Sequence, residues 1–224
     1  MAQAFTPRFT VIINLREAAS MHEQLDALLC QRYPAIFSGD DFSVLPVFGF
    51  ECSDGWFTLI EAACALIQHR IDMTGAQQLV ATQVKEKFGG LRFYYRHGGD
   101  YAIPVIGLVE LLSTHVCEVC GALGEGVSLF GWMQTRCLEH ANTIVYEEPL
   151  MAVIRENLVL APPMGALLGA SLECFALDDQ AAARWLTKPA LALGNIAPLA
   201  LAGSLDGQQQ VLTMIGRLEH GITP

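Results

Sequence analysis

Charge is scarce in this chain, and positive charge scarcer still. Asp, Glu, Lys and Arg make up 16% of the 224 residues, with 13 basic against 23 acidic side chains and a formal net charge of −10. A surface of that sign repels phosphate backbones and anionic membranes, which excludes a general nucleic-acid coat protein. Long apolar runs are missing too: the longest uncharged stretches, Leu158 to Leu172 and Pro189 to Leu205, fall short of the roughly 20 residues that span a bilayer and are interrupted by proline and glycine. Met1 to Arg16 shows no basic leader followed by a cleavable apolar segment, so the expected compartment is cytoplasmic, with no membrane partner. There is no internal repeat, no Gly-x-Ser-x-Gly elbow and no Walker loop, and Gly124-Glu-Gly126 lacks the third glycine of a dinucleotide fingerprint.

What is present is core material. Hydrophobic residues account for 52% of the chain, enough for one large core or two modest ones. Cysteine numbers seven, an odd count; three sit in metal-ligand spacing, while Cys30, Cys52, Cys64 and Cys174 are scattered. That distribution argues against a disulfide framework and for a reducing compartment.

Apolar periodicity predicts a first helix from Leu15 to Tyr33, closed by Pro34, and then a loop at Gly39 to Asp41. A short apolar segment from Val44 to Phe50 follows, broken by Pro46. Ser53 or Asp54 is placed to cap a second helix through Trp56, Leu59, Ile60, Ala63 and Ile67 that ends near Arg70. Val84 to Phe88, Gly89-Gly90 and the alternating Leu91 to Arg96 read as a hairpin. Pro104 suits the first turn of a third helix leading to Cys117. Beyond Glu147-Glu148-Pro149 the pattern is helical, over Leu150 to Leu160, Met164 to Leu177, Asp178 to Thr187, Pro198 to Ala202 and Asp206 to His220, with Gly221 as a C-terminal cap. The expected fold class is α+β: a zinc-knuckle unit of helices and a short hairpin over residues 1–147, then an all-α bundle over 148–224.

Cys117-Glu-Val-Cys120, sixteen residues, then Cys137-Leu-Glu-His140 is the strongest chemical signal. Two such knuckles present four soft or borderline ligands to a tetrahedral Zn²⁺, and Gly121, Gly124 and Gly126 permit the tight turns they need. Four protein ligands close the shell, so the expected zinc is structural and no catalytic residue is assigned. Glu118 and Glu139 resemble the carboxylate of a zinc deaminase, but the His-x-Glu arm of that chemistry is absent. His115 reads as a helix-end histidine rather than a fifth ligand.

Lys85 to His97 forms a basic and aromatic island in an acidic protein. Interleaved cations and aromatics suit single-stranded nucleic acid. The overall charge favours a simpler reading, a strand with Phe93 and Tyr95 turned inward and its arginines solvated.

Two resemblances attach to these residues. Asp54-Gly-Trp56, the run Val84 to Tyr95, Cys117-x-x-Cys120-Gly121, Gly131-Trp132 and Cys137-x-x-His140 resemble an uncharacterised zinc-knuckle family of bacterial and phage proteins, over most of residues 50–141. That family implies a metal-organised fold and no activity. Ala183-Arg-Trp-Leu-Thr-Lys-Pro189, Ala192-Leu-Gly194, Pro198-Leu199 and Val211 through Gly221 resemble the toxin-binding domain of Xre/MbcA/ParS antitoxins, over roughly the last 75 residues.

This second resemblance implies a non-enzymatic antitoxin or immunity protein that binds and occludes a RES-domain, NAD-consuming toxin. It implies toxin contacts at Trp185, Leu186, Pro189, Gly194, Pro198, Arg217, His220 and Gly221. A guanidinium at the end of the last helix suits an anion-accepting pocket in the partner. In that family a helix-turn-helix reader usually precedes the domain; here the zinc unit stands in its place. The alternative expectations are a phage-related zinc module binding nucleic acid through residues 85–97, and a zinc hydrolase.

Overall fold

A computed structural model describes residues 20–37, 49–129, 131–141 and 164–221. Helix α1 (Glu23–Arg32) begins where His22 is extended and its ring Nδ1 accepts the Gln24 N–H. It buries Leu25 and Leu29. The expected earlier turns, from Leu15 to Ala19, lie outside the described residues, as do the Gly39–Asp41 loop and most of the 44–50 segment. Pro34 closes α1 and also opens a short second helix, α2 (Pro34–Phe37), since its missing N–H costs nothing in a first turn.

A 3₁₀ turn at Asp54–Trp56 leads into α3 (Phe57–Thr74), which buries Phe57, Leu59, Ile60, Ala63 and Ile67. It passes the expected end at Arg70 by one turn and stops at Gly75, whose φ of 68° suits glycine. Strands β1 (Val80–Lys87) and β2 (Gly90–Arg96) pair antiparallel with Val84 opposite Phe93 and Lys85 opposite Arg92. Phe88 and Gly89 connect them with φ of 55° and 76°, the positive values of a type I′ turn. Helix α4 (Gly99–Ser113) starts five residues before Pro104, which is therefore inside it and not in its first turn. Left-handed Gly98 and Gly99 turn the chain earlier than the proline suggested.

A second hairpin, β3 (Glu125–Leu129) and β4 (Trp132–Arg136), fills the interval between the two knuckles; the sequence reading did not anticipate it. After residue 163 the chain forms α5 (Gly165–Cys174), α6 (Asp179–Thr187), a 3₁₀ turn at Leu191–Leu193, α7 (Pro198–Leu201) and α8 (Leu205–Glu219). Helix α5 ends before the expected Leu177 because Ala176 and Leu177 are left-handed, and the Leu177 N–H returns to the Leu172 carbonyl at 2.7 Å. Asp178 caps α6 by accepting the Ala181 N–H at 2.8 Å. The 150–160 helix lies outside the described residues.

The architecture is α+β. Helix α5 packs on α3 and α8, while α6 packs on α4. Trp56, Leu59, Ile60 and Ile67, Leu91 and Phe93 of β2, and Leu108 and Leu112 of α4 join Leu168, Leu186, Val211 and Ile215 in one hydrophobic core. The expected boundary at 147/148 lies outside the described residues, and helices from both sides of it share that core. A Cβ on Gly107 of α4 would collide with the Asp179 carboxylate of α6, so glycine permits this close approach. No described helix is long and apolar enough to cross a membrane.

Candidate functional site

The end of α4 delivers the first knuckle. Thr114 and His115 donate back to Leu111 and Leu112, and the next residues fold so that the Gly121 N–H reaches the Cys117 carbonyl at 2.9 Å. Gly121 has a φ of 76°, the conformation that closes such a knuckle. Cys117 N–H donates to the Ala122 carbonyl at 2.7 Å, and Gly124 N–H to His115 at 2.9 Å. The second knuckle follows β4, where the His140 N–H donates to the Cys137 carbonyl at 3.1 Å.

These turns bring the three Sγ atoms of Cys117, Cys120 and Cys137 and one ring nitrogen of His140 within 4.8 Å of one another. Cys120 and Cys137 sulfurs are 3.7 Å apart, Cys117 Sγ is 3.6 Å from His140 Nδ1, and Cys137 Sγ is 3.1 Å from that nitrogen. Bonds of about 2.3 Å to sulfur and 2.0–2.1 Å to nitrogen give tetrahedral edges of roughly 3.5–3.8 Å, so the donor set fits a four-coordinate metal ion. The Cys117 thiol is pulled down to about 4, first by the Cys120 hydrogen bond and further by the Cys137, Cys120 and Val119 amides. A thiolate so supported is the form that ligates metal. His115 is exposed and outside the set, as is Glu139.

Support for the knuckle comes from far along the chain. Gly55 N–H donates to the Glu118 carbonyl at 2.9 Å, and the Trp56 indole N–H to the Val116 carbonyl at 2.9 Å. A Cβ on Gly55 would collide with the Cys117 carbonyl, so glycine is required for this approach. Glu118, between the first two ligands, pairs with Arg136 Nη2 at 3.0 Å, and both side chains are buried. Burial pushes the Glu118 carboxyl up to about 7, outweighing the attraction of Arg136. This carboxylate ties β4 to the knuckle.

The C-terminal helices form a separate surface feature. Ala192 and Leu193 of the 3₁₀ turn and Gln209, Gln210, Thr213, Met214 and Arg217 of α8 line a groove of about 230 Å³. Gln209, Thr213 and Arg217 fall at steps of four residues, one stripe of a helix. Of the toxin contacts that the resemblance implied, Arg217 alone lines this groove, beside Ala192, Leu193 and Met214 from the stretches that carry the resemblance. Leu186 and Pro198 are buried in the core. Trp185 is half-buried against Phe175, with ring centroids 5.9 Å apart. Pro189, Gly194, His220 and Gly221 are exposed. The groove residues were missed because Gln209, Gln210 and Thr213 read as an ordinary solvated face; the four-residue stripe ending at Arg217 was the available signal.

The same stretch of chain resembles known proteins. Residues 173–221 match the family described as the antitoxin Xre/MbcA/ParS C-terminal toxin-binding domain, a shorter span than the sequence resemblance suggested. The chain is 35% identical over 52 residues to "Antitoxin Xre" of Photorhabdus laumondii subsp. laumondii, an alignment covering 23% of this chain and 35% of that relative. The chain thus spans about a third of the length of the curated relative it matches. No solved structure matches. The 3₁₀ turn, α6, α7, α8 and the groove beside them all fall within the matched residues, so the C-terminal part of this chain is similar to the toxin-binding domain of Xre/MbcA/ParS antitoxins.

Proposed function

We propose that the protein is an antitoxin or immunity protein that binds and occludes a RES-domain, NAD-consuming toxin, acting by contact rather than catalysis in the cytoplasm. The family match over residues 173–221 carries this reading. The groove supports it chemically: Leu193 and Met214 offer apolar contact, Gln209, Gln210 and Thr213 offer hydrogen bonds, and exposed Arg217 offers a bidentate cation at one end. Trp185, Pro189, Gly194, His220 and Gly221 border the contact in this reading, while Leu186 and Pro198 hold its helices in place.

The metal in this reading is a structural Zn²⁺ held by Cys117, Cys120, Cys137 and His140. It supplies folding free energy to the knuckles and no open coordination position for water. Co-expression with a RES-domain toxin tests the proposal, with growth and cellular NAD as readouts. The expected result is arrested growth and falling NAD with the toxin alone, and both restored by the full chain. Arg217→Glu is expected to weaken protection, because truncating a desolvated charge pair at an interface costs about 2–5 kcal/mol. Full protection by a chain carrying Arg217→Glu and Met214→Asp would move the contact away from the groove; absence of protection by the parent chain would reject the toxin assignment.

A further inference from the structure

The β1–β2 hairpin carries two local features that folding does not explain. Lys85 lies directly opposite Arg92 across the strands, a like-charge pair that destabilises a hairpin. Phe88, at the tip, holds a left-handed φ of 55° while 78% of its surface faces solvent. A bulky aromatic side chain rarely adopts that conformation, and asparagine or glycine would serve the turn better. Features that oppose local folding rules are where a binding role is expected.

Strand alternation sets the composition of the outer face. Val84, Leu91 and Phe93 are buried, so Gln83, Lys85, Lys87, Arg92, Tyr94 and Arg96 share the opposite side. Tyr94 is 42% exposed, and Lys85 Nζ lies 5.4 Å from its ring centroid; Lys87 Nζ lies 5.6 Å from that of Phe88. The neighbouring carboxylates are engaged by other donors: Glu51 by Gln83 at 2.7 Å, Glu86 by the Gly89 N–H at 2.6 Å, and Glu110 by the Phe93 N–H at 2.8 Å. Arg92 has a long 4.0 Å contact to Glu110, and neither Lys85 nor Lys87 has an ion-pair partner among the described residues.

The surface continues onto the metal-bearing segment. Thr135 Oγ1 donates to the Gly89 carbonyl at 2.6 Å, and Gly89 abuts the Gln134 backbone, which fixes the hairpin tip against β4. Trp132, two residues from Gln134 on the same strand, is 58% exposed. Cations beside exposed aromatic rings match a polyanion that also has flat apolar faces to stack. We propose that this hairpin face, with Phe88 and Tyr94 as stacking platforms and Lys85, Lys87 and Arg92 as phosphate contacts, binds single-stranded nucleic acid, a function separate from toxin binding. An acidic peptide satisfies the cations but leaves the rings without stacking partners. Duplex nucleic acid hides the base faces that the rings require.

The test uses full-length, metal-loaded protein with fluorescein-labelled (dT)20 and (rU)20 in fluorescence anisotropy. Binding is expected at 50 mM salt with at least one of the two, the comparison separating DNA from RNA. Three phosphate contacts give a salt slope near −2, so affinity should fall roughly twentyfold between 50 and 200 mM. Lys85→Glu with Lys87→Glu should abolish binding, and Tyr94→Ala should weaken it about fivefold or more. Phe88→Gly relieves the left-handed tip, so it should weaken binding while the melting temperature and metal content are kept. No binding of either strand at 50 mM salt overturns the proposal. Unchanged affinity in the Phe88→Gly and Tyr94→Ala proteins, or competition by a 20-residue poly-glutamate or a duplex as effective as (dT)20, overturns it equally.

Discussion

The indole N–H of Trp56 donates to the carbonyl of Val116, the residue immediately before the candidate metal ligand Cys117, at 2.9 Å. Sixty positions separate the two in sequence. Through this bond the first turn of the α3 region holds the backbone from which the first knuckle springs. The main core and the Cys/His cluster are therefore tied together directly.

Metal removal should be visible in that bond. Treating the protein with a strong chelator, or making Cys137→Ser, is expected to lower the melting temperature and change Trp56 emission, because metal binding contributes folding free energy to the knuckles. Circular dichroism melts and fluorescence of a protein with Trp132 and Trp185 replaced by phenylalanine check this. Emission and melting that ignore the chelator would contradict it.

Gly55→Ala places a Cβ where the Cys117 carbonyl sits. Relief requires the knuckle to shift, at a cost of about 1–3 kcal/mol in urea unfolding. Metal retention under chelator competition should fall in step.

The buried Glu118–Arg136 pair predicts a non-additive series. Glu118→Leu or Arg136→Met alone leaves a buried polar partner unpaired and should cost about 3–5 kcal/mol, whereas Glu118→Leu with Arg136→Met should recover most of that loss. A double-mutant cycle in denaturant measures the coupling; additive losses would mean that the two side chains act independently.

Cys30 is pushed up to about 11, chiefly by burial and then by the charge of Asp26, whose Oδ1 lies 3.6 Å from its sulfur. Below pH 9 its thiolate fraction is about a hundredfold smaller than that of a thiol at 9.0, so alkylation by iodoacetamide should be slow at pH 8 and rise roughly tenfold per pH unit up to pH 10. Mass spectrometry of the labelled peptide reads this directly. Rapid labelling at pH 8 in the folded protein would refute the burial argument.

Within the C-terminal domain, position should decide the size of an effect. Leu186→Ala removes a fully buried side chain and should destabilise by about 2–5 kcal/mol, while exposed Pro189→Ala should change stability by about 0.5 kcal/mol or less. Thermal unfolding distinguishes them. Equal effects would show that the buried assignment of Leu186 is wrong.

Signals confined to neighbouring residues were the ones legible in sequence. The clustering of Cys117, Cys120, Cys137 and His140 was readable because each knuckle is a local motif, and the β1–β2 hairpin because Leu91, Phe93 and Tyr95 alternate. Asp178 as a cap and Gly221 as a terminator were readable for the same reason. The β3–β4 hairpin escaped because its stability rests on flanking knuckles rather than on alternation of its own: Trp132 and Met133 are both exposed. Pro104 misled because the start of α4 is set by two left-handed glycines upstream of it. The groove at Arg217 needed tertiary information, since Leu193 reaches α8 only through the 3₁₀ turn.

The glycine notch on α4 has an evolutionary corollary. A segment is easiest to exchange between genes when its inner face is self-contained, and the C-terminal helices are not: α6 lays Asp179 against Gly107, and α5 rests on α3. Recombination that imported a new segment in place of residues 173–221 would arrive with an inner face cut for a different host. Under the proposed toxin-binding role, adaptation to new partners should therefore proceed by point changes along the solvent side of α8 and the Leu191–Leu193 turn, with the residues facing α3 and α4 held back by their neighbours.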